Sequence, residues 1–108
     1  MTKHRVIFAG LLAACCQLGV AQAQDKDVLY VQSLAATCAS CHGTQGRAIP
    51  GASVPGLAGQ AAPQFIAKMK AYQSGALPAT IMHQLSKGYS DAQIEQLAAY
   101  FAAQPVAR

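Results

Sequence analysis

The residues in this sequence best suited to chemistry stand together as Cys38-Ala39-Ser40-Cys41-His42. Two thiols separated by two residues and followed at once by an imidazole form the Cys-x-x-Cys-His pattern that attaches a c-type haem. Each thiol adds across one vinyl group of the macrocycle, and one helical turn presents both sulfurs along the same edge. His42 is then placed to bind the iron as the proximal ligand, while its other ring nitrogen donates a hydrogen bond that fixes the ring. The pattern therefore predicts one covalently attached haem.

Three other uses of these cysteines compete with haem attachment. A tetrahedral zinc site needs four ligands, but outside the N-terminal segment only His42 and His83 accompany the two thiols, and His42 is too close to Cys41 to complete the site comfortably. A thioredoxin-like dithiol follows a strand and begins a helix, whereas a helix-prone segment precedes Cys38 and Gly43 follows His42. A structural disulfide leaves His42 without a role, so haem attachment accounts best for all three side chains.

A second axial ligand must come from elsewhere in the chain. Met69 falls on the apolar stripe of a predicted helix, which favours ordinary core packing. Met82 stands just before the last predicted helix, far enough from His42 for the chain to pass round the haem and return on its opposite face. His83 is the alternative ligand, although a histidine in a surface loop is more often solvated. We predict His42 and Met82 as the axial pair.

Residues 1–23 have the features of an export signal. Lys3 and Arg5 form a basic start, residues 6–14 form an apolar run, and residues 21–23 form an A-x-A cleavage site. The apolar run is too short to span a bilayer as a stable helix. The segment is therefore predicted to be a signal peptide that is cleaved after export.

Export bears on the cysteines, the location and the domain. A lipoprotein-like box ends at Cys15, so a lipid anchor there is the alternative to simple cleavage. Cys15 and Cys16 belong to the leader, which leaves Cys38 and Cys41 for haem. The prediction is a single haem domain over residues 24–108 in the periplasm, because c-type haem is attached on the outer side of the bacterial inner membrane.

Charge and size limit the partners. The 108-residue chain has a formal charge of +4. Without residues 1–23, six basic and four acidic side chains leave +2, and two haem propionates bring that value near zero. There is no basic stripe with interleaved aromatic residues, so nucleic-acid binding is not predicted. A domain this small has a marginal core, and haem would be its largest apolar component.

Helix signals identify the elements that must position these residues. Residues 28–36 are apolar and helix-prone, and a helix there delivers Cys38. Pro63, at a first-turn position, opens a second helix that Gly75 ends. The apolar residues of this second helix recur at helical spacing: Phe65, Ile66, Met69 and Tyr72.

A third helix is marked by its own cap. Ser90 with Gln93 three residues later forms a capping box, and Pro105 ends the helix. Its apolar stripe consists of Ile94, Leu97, Ala98 and Phe101. Segments 43–59 and 76–89 are predicted as loops, and no period-two alternation indicates a strand. The expected fold is all-α, with three main helices and irregular loops around one haem.

Several segments together resemble the class I c-type cytochromes. They are CASCHG at 38–43, VPGLAGQ at 54–60, IMHQ at 81–84, KGYSD at 87–91 and LAAYF at 97–101. More narrowly, they resemble the monohaem cytochrome subunit of flavocytochrome c sulfide dehydrogenase and the related halves of dihaem cytochromes. The resemblance covers nearly the whole chain after the leader, but this chain has a single haem motif where the dihaem relatives have two.

The resemblance implies a site and a packing. Cys38 and Cys41 are the thioether residues, His42 and Met82 are the axial ligands, and the carbonyl of Pro55 accepts the His42 N–H. It also implies that the first and last helices cross, in contact around Leu34 and Tyr100.

The function expected from the motif and the resemblance is electron transfer. His/Met ligation closes both axial positions, so the iron changes oxidation state without binding a substrate. The resemblance further implies that a sulfide-oxidising flavoprotein is the electron donor. The alternatives are a free periplasmic shuttle to a terminal oxidase or reductase, and a haem enzyme or gas sensor with an open distal site.

Overall fold

The computed structural model describes residues 25–106. The predicted signal peptide over residues 1–23 and the alternative lipid anchor at Cys15 lie outside these residues. Residues 25–106 form helices and connecting loops without a strand, which confirms the predicted all-α fold. None of the helices within this range is long and apolar enough to cross a bilayer.

The helices follow one another along the chain, with the longest connection over residues 47–61. They are α1 (25–36), α2 (Ala39–His42), a 3₁₀ turn (Thr44–Gly46), α3 (Ala62–Ser74), α4 (Met82–Leu85), a second 3₁₀ turn (Ser86–Gly88) and α5 (Asp91–Ala102). A boundary between two units of the chain falls after Tyr30. Residues 25–30 are helical and expose Val28, Leu29 and Tyr30. All predicted haem residues lie in the unit that begins at Val31.

The two long helices α3 and α5 form where the sequence predicts them. Pro63 lies in the first turn of α3, and Gly75 caps its end in the left-handed conformation. At the start of α5 the capping box is present in both directions: Ser90 Oγ accepts from the Gln93 N–H at 3.2 Å, and Gln93 Oε1 accepts from the Ser90 N–H at 3.0 Å. Such a cap stabilises a helix by about 1 kcal/mol.

The core lies where α3 packs on α5. Its buried members are Ala35, Phe65, Met69, Ile94, Leu97, Ala98 and Phe101. The rings of Phe65 and Phe101 are 5.6 Å apart, and Tyr100 meets Phe101 edge-on at 5.1 Å. Leu34 and Tyr100, the pair implied by the resemblance, are both half-buried against this cluster.

Hydrogen bonds at Gly46 connect the start of the loop that follows His42 to a later stretch of the same loop, residues 57–58. Its carbonyl accepts hydrogen bonds from the N–H groups of Leu57 at 2.8 Å and Ala58 at 3.0 Å. Gly46 is buried with φ of +75°, and a Cβ there would lie 2.8 Å from Ala58 N and 2.9 Å from a ring carbon of Phe101. Both the backbone conformation and the close packing therefore require glycine at this position.

Gly46→Ala is expected to lower the free energy of unfolding by about 3 kcal/mol. The left-handed conformation and the steric overlap each contribute roughly 1–2 kcal/mol. Denaturant unfolding of the haem-loaded protein measures the loss. Gly51→Ala is the matched control, because Gly51 has φ of +79° but no atom within 4 Å of the added Cβ, so it should lose only about 1 kcal/mol. Equal losses for the two variants would show that the close approach at Gly46 contributes nothing.

The loop prediction for residues 76–89 is wrong for residues 82–88, which form α4 and the 3₁₀ turn after it. The helix has four residues and no side-chain cap at Ile81, so it carries neither the capping signal nor the periodicity by which longer helices are recognised. It is stabilised by packing on α3. Met82 is therefore the first residue of a short helix, and His83 is half-buried there.

Candidate haem-attachment site

One helical turn carries Cys38, Cys41 and His42. Cys38 precedes α2, and its carbonyl accepts from the N–H of Cys41 at 3.4 Å and from that of His42 at 3.0 Å. The Cys38 N–H in turn donates to Ala35 O at 3.1 Å, which joins the turn to the end of α1. Residues three and four apart on a helical turn lie on one face. The structure thus presents both thiols and the imidazole together.

The two thiols differ in their surroundings. Both are free; Cys38 is half-buried against the core, whereas Cys41 is exposed. Burial raises the pKa of the Cys38 thiol, the contact with Thr37 Oγ1 at 3.9 Å opposes that rise, and the neighbouring Cys41 adds to it. Thioredoxin-like dithiols depend on a lowered thiol pKa, so the direction of this shift does not favour that alternative.

His42 is oriented by a carbonyl thirteen residues further along. Its Nδ1 lies 2.7 Å from Pro55 O. A carbonyl oxygen accepts, so Nδ1 carries the proton and Nε2 retains its lone pair for a metal ion. The loop that supplies Pro55 is held by the two hydrogen bonds to Gly46 O described above. The structure therefore brings Cys38, Cys41, His42 and Pro55 into one site.

The two methionines of the described chain have different surroundings. Met69 is 6% exposed and belongs to the buried cluster between α3 and α5. Met82 is half-buried at the start of α4 and packs against the same cluster that Cys38 contacts. The side chain of Met69 is thus committed to the core, and Met82 stays the predicted second axial ligand.

Two polar atoms near Met82 are buried without a hydrogen-bond partner among residues 25–106. They are His83 Nδ1 and the hydroxyl oxygen of Ser86, whose residue is fully buried. Burying a polar group without a partner lowers stability. His83, the alternative ligand, therefore lies in a less solvated position than a surface loop offers. Among residues 25–106, no three His, Cys, Asp or Glu side chains gather as a metal-ion site.

Three residues that the sequence prediction did not select connect Met82's segment to its neighbours. Gln73 Nε2 donates to Ser86 O at 2.9 Å and to Tyr89 O at 3.0 Å. The Tyr89 hydroxyl lies 2.7 Å from Thr37 Oγ1, directly before Cys38. A lone glutamine on a helix gives no pattern signal, whereas Thr37 and Tyr89 at least adjoin or belong to segments that the resemblance uses.

The donor set of this site fits a covalently attached haem. Two free thiols on one turn supply the thioether sulfurs, and an imidazole with Nδ1 engaged supplies Nε2 for iron. Cys38 and Cys41 would hold the group, and His42 would ligate it. This combination uses every reactive side chain of the turn.

Comparison with known proteins agrees with that fit. Residues 29–104 match the family model described as cytochrome c. Cytochrome c-554(548) of Halomonas halodenitrificans is 37% identical over 71 residues, which cover 63% of this chain and 84% of that protein.

Two longer relatives match over part of their length. The thiosulfate dehydrogenase electron acceptor of Stutzerimonas stutzeri is 37% identical over 68 residues, 60% of this chain and 31% of that protein. Cytochrome c4 of Pseudomonas aeruginosa is 33% identical over 98 residues, 91% of this chain and 48% of that protein. The chain thus aligns with less than half of each of these two proteins.

Proposed function

This chain belongs to the cytochrome c family, and from that premise we propose that it is a periplasmic electron carrier whose one haem is ligated by His42 and Met82. Its cofactor is covalently bound haem c; two of its relatives are named as cytochromes, and a third is named as the electron acceptor of thiosulfate dehydrogenase. The observation that carries the proposal is the turn holding Cys38, Cys41 and His42, with His42 Nδ1 engaged by Pro55 O. The leader predicted in residues 1–23 supports the periplasmic location.

Different residues of the chain would hold the haem and set the properties of its iron. Haem iron, when bound, takes up one electron and passes it on by alternating between its ferric and ferrous states. Pro55 O fixes the His42 ring and raises its basicity as a ligand. Met82 supplies a thioether, which favours ferrous iron and keeps other ligands away. Cys38 and Met82 both pack against the apolar cluster between α3 and α5.

Exposure of the ferrous protein to carbon monoxide tests this ligation against the alternative of an open distal site. With both axial positions closed by the chain, the absorption spectrum is expected to change little and slowly. Rapid and complete formation of the carbon monoxide adduct by the unmodified protein would favour the haem enzyme or gas sensor. Addition of imidazole to the ferric protein independently checks whether the second axial position is open.

The donor that we propose is a dehydrogenase that oxidises a reduced inorganic sulfur compound, with a sulfide-oxidising flavoprotein as the first candidate. The sequence resembles the cytochrome subunit of such an enzyme, and one relative is named as the electron acceptor of thiosulfate dehydrogenase. Ile81, just before α4, and Leu85, the last residue of α4, are exposed apolar side chains. They suit docking by contact, since a haem-loaded domain of near-zero charge gains little long-range steering.

Stopped-flow reduction separates the donors. The oxidised cytochrome is mixed in turn with a sulfide-oxidising flavoprotein, a thiosulfate dehydrogenase and unrelated reductants, at several salt concentrations. Fast reduction by the flavoprotein, at a rate indifferent to salt, is the expected result. Faster reduction by the thiosulfate enzyme would replace the first candidate, and a steep salt dependence with many donors would favour the free shuttle.

A further inference from the structure

We propose that Gln73 is a positioning residue for Met82. The inference rests on the proposed function, in which Met82 is the second axial ligand. It concerns how the chain holds that methionine, and it assigns the task to a side chain on α3 that is itself no ligand. The supporting observations are backbone hydrogen bonds along residues 81–89 and the two bonds that Gln73 makes to them.

Residues 81–89 form one hydrogen-bonded unit. Ile81 O accepts from the N–H groups of Gln84 at 2.9 Å and Leu85 at 3.1 Å, and Ser86 O accepts from the Tyr89 N–H at 3.2 Å. The Ser86 N–H donates to Met82 O, so the α-helix passes directly into the 3₁₀ turn. A constraint placed at Ser86 is transmitted to Met82 through a single helical turn.

Gln73 places such a constraint. Its carboxamide nitrogen has two hydrogens, and it lies within bonding distance of both Ser86 O and Tyr89 O, at 2.9 Å and 3.0 Å. These bonds are partly buried, and Ser86 is fully buried. Residues four apart lie on one face of a helix, so the face of α4 that Met82 shares with Ser86 is turned toward the interior. One glutamine thus fixes both the position and the rotation of the Met82 segment against α3.

The segment needs such a constraint. A helix of four residues is unstable on its own, and α4 has no side-chain N-cap. At the far end of residues 81–89, the Tyr89 hydroxyl lies 2.7 Å from Thr37 Oγ1, and Thr37 Oγ1 donates to Leu34 O at 2.7 Å. Tyr89 therefore donates to Thr37, which links the Met82 segment to the turn that carries Cys38. Gln73 and Tyr89 together relate the methionine to the attachment site.

Gln73→Leu in the haem-loaded protein tests the proposal. Leucine retains much of the volume but donates no hydrogen bond, so the Met82 segment should detach more often. We expect the charge-transfer band that ferric haem shows with a bound thioether to weaken. We also expect carbon monoxide to bind the ferrous protein about tenfold faster, as the loss of one or two hydrogen bonds allows.

Gln104→Leu is the matched control. Gln104 Nε2 donates to Tyr100 O at 3.0 Å, a partly buried bond of the same kind at the end of α5. The Gln104→Leu variant should lower the unfolding midpoint as Gln73→Leu does. It should leave the charge-transfer band and the rate of carbon monoxide binding unchanged. If Gln73→Leu does not fold, Tyr89→Phe keeps the test open, because removal of one hydroxyl should raise the same rate about threefold.

The outcomes distinguish this inference from the function on which it rests. A normal band in the unmodified protein, with both readouts unchanged in Gln73→Leu and Tyr89→Phe, overturns the positioning role alone. Equal changes in Gln73→Leu and Gln104→Leu also overturn it, because they would reflect general destabilisation. Absence of the band from the unmodified protein overturns the Met82 assignment and the positioning role together.

Discussion

A chain with serine in place of both Cys38 and Cys41 is expected to retain no covalently bound haem. A serine hydroxyl does not add to a vinyl group as a thiol does, while its size and polarity disturb the turn little. The folded state should also be lost or severely weakened, because the largest fully buried side chains among residues 25–106 are few: Phe101, Ile94, Leu97 and Ser86. Haem absorbance of the protein band on a denaturing gel measures attachment, and circular dichroism measures helicity.

Single variants and a neighbouring control sharpen that experiment. Cys38→Ser and Cys41→Ser each leave one thiol, so each should retain haem through a single bond. Ser40→Ala alters an exposed side chain on the same turn, whose hydroxyl lies 3.7 Å from Cys41 Sγ, and should leave attachment intact. Haem that stays with the double variant on the gel would contradict the assignment of these two residues.

The long helices were predictable because their signals are local. The capping box at Ser90 and Gln93 lies within four residues, and the left-handed cap at Gly75 follows from glycine's freedom there. The α5 stripe is buried as its spacing indicates, with Ile94 and Phe101 both 0% exposed. Each of these features depends on neighbours in sequence, so the sequence alone suffices to place them.

The segment around Met82 was predicted less well because its structure depends on distant residues. The short helix α4 has no cap and too few residues for a period, and it exists through packing on α3 and the hydrogen bonds from Gln73. His83 was expected to be solvated because its segment was predicted as a surface loop, yet its Nδ1 is buried. Contacts made across more than ten residues leave no periodic trace in the sequence.

The haem-attachment turn shows both kinds of dependence. Cys38, Cys41 and His42 are close together because they are close in sequence, and their spacing alone predicted haem attachment. The contact between His42 and Pro55 was available from the resemblance, but not from spacing. What holds Pro55 in place, the close approach of Gly46 to residues 56–58, was not foreseen, because it is set by packing against Phe101.

Met82→Ala is expected to open the second axial position. Without the thioether, ferrous iron loses a stabilising ligand, so the reduction potential should fall by a sizeable part of the roughly 0.8 V range that axial ligands set. Carbon monoxide should then bind the ferrous protein rapidly, and the thioether charge-transfer band should vanish. Because Met82 is half-buried, the lost packing should lower the free energy of unfolding by about 2 kcal/mol, near the low end for methionine-to-alanine changes.

Met69→Leu is the control, since it changes the other methionine of the described chain at nearly constant volume. Met69 is 6% exposed within the core, and such a replacement should change stability by less than about 1.5 kcal/mol while the iron spectrum stays the same. A changed spectrum in Met69→Leu with an unchanged one in Met82→Ala would reverse the assignment of the two methionines. If both methionine variants keep the spectrum and His83→Ala opens the site to carbon monoxide, the ligand is His83. This histidine directly follows Met82, and its Nδ1 is buried.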